Sequence, residues 1–174
     1  MADEDGNGAV DEPQGEETPE RPNVLCFVMD QLRWDHLGCY GNAGIRTPNL
    51  DRLASRGVVF DRAYVANPLC MPARATLFTG RTPRGHRVRT NGIPLDPGVP
   101  TMTEALRRAG YHTHAAGKIH LHCFGAEAKA DAERDLNQWP ESRKAWDAGA
   151  LQALPSPYYG LESADFVGGH GTWI

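Results

Sequence analysis

Apolar runs and helical periodicities alternate along the first two thirds of the chain. Residues 22–30, PNVLCFVMD, form a continuous apolar run ending in an acid. That pattern predicts a buried parallel strand whose carboxyl end reaches solvent. TPNLDRLASRG follows, with Thr47 placed to cap, Pro48 at the first helical position, Leu50 and Leu53 on one face and Gly57 as a stop. VVFDRAYV, residues 58–65, reads as a second strand, and PARATLFTGR as a helix beginning near Pro72. TMTEALRRAG reads as a further helix capped by Thr101 or Thr103 and ended by Gly110, and YHTHAAGK as a third strand ending at Gly117 and Lys118. Strands alternating with helices predict an α/β fold, a mainly parallel sheet flanked by helices, in which ligands sit at the carboxyl ends of the strands. Asp30, Cys70 and Lys118 all fall at or just beyond such ends. After His122 the pattern weakens, and residues 126–146, AEAKADAERDLNQWPESRKAW, read as a polar surface helix or a mobile insertion.

Charge changes this picture at one end. Residues 1–21 hold eight Asp or Glu and one Arg, with almost nothing apolar to bury, and are expected to be a disordered acidic tail. The remaining residues, 22–174, carry 17 of the 18 basic and 14 of the 22 acidic side chains, a net of +3 against −4 for the whole chain. A mildly basic body suits a small anionic substrate and is too weakly charged to indicate nucleic acid. No apolar run reaches membrane-spanning length and the amino terminus lacks the features of a secretory signal, so no membrane partner and a cytoplasmic location are expected. Cys26, Cys39, Cys70 and Cys123 show neither zinc-type pairing nor dense disulfide spacing. Cys26 and Cys39 read as reduced structural thiols. His112, His114 and His122 cluster in sequence, but without the partner spacing of a structural zinc site. His86 and Asp35 read as structural or peripheral.

The segment LCMPARATLFTGR is different, because it places a thiol and an arginine one helical turn apart where a strand hands over to a helix. It resembles the signature of the type I sulfatases of the alkaline-phosphatase-like superfamily, Cys-x-Pro-x-Arg followed by an apolar pair and Thr-Gly, here Cys70, Pro72, Arg74, Leu77, Phe78, Thr79 and Gly80. NVLCFVMDQLRWDHLGCYGN, TPNLDRLASRGVVFDRAYV and GYHTHAAGKIH resemble further family stretches in the same order, so that the resemblance covers roughly residues 22 to 122.

That resemblance implies a sulfuric ester hydrolase whose nucleophile is a formylglycine made from Cys70 by a separate formylglycine-generating enzyme. It implies that Arg74 holds the hydrated aldehyde, that Lys118 clamps a sulfate oxygen and that His120 donates to the same anion or to the diol. Asp30 and Gln31, with residue 70, are implied as ligands of a divalent metal. All-oxygen ligation suits Ca²⁺ ahead of Mg²⁺ or Mn²⁺. On a strand end, Lys118 and His120 would face the same side, and Ile119, where the family usually carries an aromatic residue, would alter the pocket's shape. Gln31 in place of a second Asp leaves a phosphonate monoester or phosphodiester hydrolase as an alternative, and a non-catalytic remnant as another. The resemblance also implies a catalytic domain several hundred residues long, so residues 22–174 are expected to be its N-terminal part, with an incomplete sheet and little or no activity alone.

Overall fold

The computed structural model describes residues 21–124 and 139–169. The expected acidic tail therefore lies outside the described residues, Arg21 excepted, as does most of the polar stretch 126–146. The order of elements is two single-turn 3₁₀ segments (Trp34–His36 and Gly38–Tyr40), helices α1 (Pro48–Ala54), α2 (Cys70–Thr79), α3 (Pro83–His86) and α4 (Met102–Arg108), strand β1 (His114–Gly117), helix α5 (Arg143–Asp147) and strand β2 (Ser163–Phe166). β1 and β2 pair in parallel, with His114 opposite Ser163 and Gly117 opposite Phe166, and the connection between them carries α5. This is the crossover that parallel strands require, and it makes the fold α/β.

Helix α2 begins at Cys70, two residues before the expected start at Pro72. Pro72 stands in the first turn, where its missing N–H leaves no intrahelical bond unmade; the first such bond runs from Ala73 N to the Leu69 carbonyl at 3.0 Å. Gly80 closes the helix in the left-handed region (φ 64°), as the glycine after Thr79 suggested. Thr101, not Thr103, caps α4, accepting from Glu104 N. Both threonine hydroxyls also donate to the Tyr159 carbonyl, tying α4 to the approach of β2. Thr47 makes no side-chain cap bond. Its hydroxyl instead accepts from Gly38 N and donates to Asp51, which locks α1 to the second 3₁₀ turn.

The first two expected strands do not form. Residues 22–30 and 58–65 carry no strand pairing, and their apolar side chains face solvent, with Leu25 and Tyr64 each 88% exposed. An apolar run has the composition of a strand, but a strand exists only when a neighbouring strand takes its N–H and C=O groups; among the described residues no strand does so for these two runs. The third run forms as β1. In the core, Met71 and Ala75 of α2 pack with Val88, Leu95, Ile119, Leu121, Cys123, Trp139, Tyr158 and Leu161. Segment 139–146 is no surface helix: Trp139, Glu141, Ser142 and Ala145 are buried, and only Arg143–Asp147 is helical. No helix among the described residues is long and apolar enough to cross a membrane.

Gly160 lies where β2's approach presses on α4. It holds a φ of 84°, and a Cβ built on it would stand 2.5 Å from the Glu104 Cα. Gly160→Ala is expected to destabilise the protein by more than about 2 kcal/mol, from backbone strain and overpacking together. Equilibrium denaturation of the variant checks this.

Candidate functional site

Where α2 starts, the chain enters from a turn in which Asn67 Oδ1 accepts from Leu69 N at 2.8 Å. Met71 N donates to Asn91 Oδ1 at 3.0 Å, and the Met71 side chain is buried in the core. These contacts fix Cys70 at the first helical position, half-buried, with Arg74 one turn further on the same face. His86 steadies the helix from behind. Its Nδ1 accepts from Val88 N at 3.1 Å, so the proton lies on Nε2, 3.0 Å from the Thr76 hydroxyl. Burial pushes its pKa down, which keeps the ring neutral.

Four of the expected site residues converge here. The Cys70 Sγ lies 3.9 Å from Asp30 Oδ1. Asp30 Oδ2 accepts from Lys118 Nζ at 2.5 Å and stands 3.5 Å from Arg74 Nη2. Arg74 Nη1 donates to the Lys118 carbonyl at 2.6 Å, so one guanidinium spans both arms of the cluster. The Lys118 and Arg74 side chains are 11% and 10% exposed and that of Asp30 is 31% exposed, so the charges sit in partly excluded solvent. Among the described residues, the Arg74 and Lys118 cations both face the Asp30 carboxylate beside the thiol.

His120 reaches the neighbourhood by a different route from the one strand alternation predicts. β1 ends at Gly117, so Lys118, Ile119 and His120 belong to the following loop, and His120 has a left-handed backbone (φ 57°). Its ring is buried and stacks on Phe124, with centroids 3.8 Å apart and planes 7° apart. Lys118 Nζ lies 5.7 Å from the same Phe124 ring. Ile119 is buried in the core, because the loop turns that side chain inward. Gln31 follows Asp30 with a positive φ of 56° and is exposed. His114 opens β1 and His112 precedes it, and both meet Ser163 Oγ, at 2.9 and 3.2 Å.

One residue of this region was not legible in the sequence. Glu141 is fully buried (0% exposed), and its carboxylate accepts from His120 N at 2.6 Å, Leu121 N at 2.8 Å, His122 N at 2.9 Å and the Tyr158 hydroxyl at 2.8 Å. Burial pushes its pKa up to about 7, although all four donors favour the charged form. Within a stretch rich in charge, the only hint was its position beside Trp139 and Pro140.

The described residues thus set a thiol at a helix start beside an Asp–Arg–Lys cluster, on an α/β frame. Comparison with known proteins gives the class. The family model for sulfatases matches residues 22–161, and the chain belongs to the sulfatase family. It is 42% identical over 116 residues to N-acetylgalactosamine-6-sulfatase of Sus scrofa, a match covering 59% of this chain and 22% of that protein. It is 37% identical over 107 residues to an arylsulfatase of Clostridium perfringens, covering 59% and 21%. The structure resembles that of the phosphonate monoester hydrolase of Agrobacterium radiobacter, with a TM-score of 0.64 and 31% identity, covering 87% of this chain and 27% of that one. The chain thus spans about a fifth of the length of the curated relatives it matches.

Sulfatases use a metal and a formylglycine. Tested against a divalent cation, Asp30, Gln31 and residue 70 supply part of a shell, well short of the about six to eight oxygens that a calcium ion takes. Asp30 Oδ2 is also already engaged by Lys118 and Arg74. Among the described residues, no group of three or more His, Cys, Asp or Glu side chains is arranged to hold a metal. The described residues do not by themselves fit a metal ion.

The electrostatic balance of this cluster can be tested directly. Asp30→Asn removes the carboxylate that Lys118 and Arg74 share, and is expected to cost about 1–3 kcal/mol. Lys118→Met should cost less in the Asp30→Asn background than in the wild-type protein. Denaturation of the two single variants and the double variant measures the coupling; strict additivity would show that the charges do not act together.

Proposed function

We propose that the protein containing this chain is a sulfuric ester hydrolase whose nucleophile is a formylglycine formed from Cys70. The observation that carries the reading is the convergence of Cys70, Asp30, Arg74 and Lys118 within hydrogen-bonding or ion-pair distance at the start of α2. A hydrated aldehyde at residue 70 would supply one hydroxyl to attack sulfur, displacing the ester's alcohol as the S–O bond breaks. It would supply a second whose loss of a proton re-forms C=O and breaks the C–O bond to sulfate, water then restoring the diol; a plain serine would lack this release. Arg74 orients that diol with its fixed fork of donors. Lys118 exchanges its bond to Asp30 for one to a sulfate oxygen when substrate arrives. His120 donates to the same anion or to the diol, with its ring held against Phe124. Asp30 and Gln31 are proposed as oxygen donors to a hard divalent cation, Ca²⁺ ahead of Mg²⁺ or Mn²⁺, whose other ligands in this reading belong to the rest of the catalytic domain, beyond residue 174.

A formylglycine-generating enzyme is the maturation partner in this reading, and a small sulfate ester is the substrate. A cytoplasmic location is part of the proposal, supported by the absence of dense disulfide spacing in the sequence. A second reading, hydrolysis of a phosphonate monoester or phosphodiester by the same parts, is favoured by Gln31 and by the likeness to the Agrobacterium radiobacter enzyme.

Two measurements decide the matter. Mass analysis of the peptide holding residue 70, from protein made in its native host, should show the sulfur replaced by an aldehyde oxygen. An unmodified thiol there would favour a non-catalytic remnant. In the full-length protein, Cys70→Ala should lower turnover of an aryl sulfate by at least about a thousandfold, and faster wild-type turnover of phenyl phosphonate than of the sulfate would move the assignment to the second reading.

The purified 174-residue chain, with only part of a metal shell, should show no metal-dependent turnover of either substrate. Measurable activity from it would contradict the assignment of further ligands beyond these residues.

A further inference from the structure

We propose that Glu141 is a positioning residue of this site, its buried carboxylate setting the backbone of residues 120–122 and through it the placement of His120 and Lys118. The inference rests on the functional reading above for the roles of those two side chains, but its structural basis is separate.

Three successive backbone N–H groups can point at one carboxylate only if the chain curls around it, and this chain does so with His120 in a conformation that residues with a Cβ rarely adopt. The loop is held at both ends. Arg74 takes the Lys118 carbonyl at one end, and Glu141 takes the N–H groups of residues 120–122 at the other. Between them, Ile119 and Leu121 are sunk in the core, so the two side chains assigned to the anion leave the same clamped stretch of backbone.

The two carboxylate oxygens are not equivalent. Oε1 accepts from Leu121 N, His122 N and the Tyr158 hydroxyl, whereas Oε2 accepts from His120 N. This asymmetry separates positioning from simple support. In Glu141→Gln, the amide oxygen can keep the three bonds of Oε1, while the NH₂ group confronts the His120 N–H, donor against donor. The substitution therefore releases His120 selectively. Tyr158→Phe does the reverse, removing one bond to Oε1 and leaving all three N–H groups in place. It controls for general loss of stability.

The test uses the full-length protein, with turnover of an aryl sulfate and amide hydrogen exchange both measured at matched folded fraction. Glu141→Gln is expected to lower kcat/KM by on the order of tenfold or more, as loss of an orienting partner does elsewhere, and to accelerate exchange at His120 more than at Leu121 and His122. Tyr158→Phe is expected to stay within about twofold of wild type in kcat/KM. Equal losses in the two variants, or unchanged kcat/KM in Glu141→Gln with a released His120 amide, would reduce Glu141 to a structural role and overturn the proposal. If Glu141→Gln does not fold, exchange in the wild-type protein still decides: the three amides should be protected together with the core, and fast exchange at His120 would overturn the clamp. A wild-type protein inactive on both sulfate and phosphonate would defeat the functional reading, while the exchange data would still report on Glu141.

Discussion

A carboxylate removed from water is costly unless its lone pairs are met, and Glu141 is tolerated because three backbone N–H groups and a phenol converge on it. The rest of the described structure is arranged around that requirement. The loop after β1 curls to present its amides, Tyr158 is buried to present its hydroxyl, and Trp139 and Ala145 flank the acid in the core region. Because the loop closes over Glu141, Ile119 and Leu121 turn inward against Met71 of α2 and the other core residues. The same turn delivers Lys118 to Asp30. A polar constraint in the core and the charged cluster at the surface are thus two ends of one piece of backbone.

The cluster itself is built on a helix whose position is settled by its neighbours. Met71 and Ala75 are buried, His86 holds Thr76, and Arg74 reaches across to the Lys118 carbonyl. Each contact comes from a different part of the chain, so Cys70 stands at a place determined by packing more than by helix propensity. Arg74 combines a bond to the Lys118 carbonyl through Nη1 with an ion pair to Asp30 through Nη2, and its rigid planar fork fixes both directions at once.

The apolar residues of 22–30 and 58–65 belong to the same account. Both runs are exposed, and the described residues provide no strand to pair with them. The parallel β1–β2 pair shows what the remaining sheet chemistry looks like when a partner is present.

By itself the sequence determined the local and the chemical. Helices α1, α2 and α4 followed from periodicity, capping threonine or proline and terminal glycine, and the family followed from residues 69–81 and the stretches matching around them, because short-range rules and contiguous motifs are written in consecutive residues. It also named Asp30, Cys70, Arg74 and Lys118, which the structure brings together. Only tertiary structure decided what depended on partners distant in the chain. Whether an apolar run becomes a strand depends on a neighbour, which residues 22–30 and 58–65 lacked and 114–117 found. The inward turn of Ile119 and the burial of Glu141 in a segment that reads as polar surface depend on contacts about 20 residues apart or more, and no local pattern encodes those.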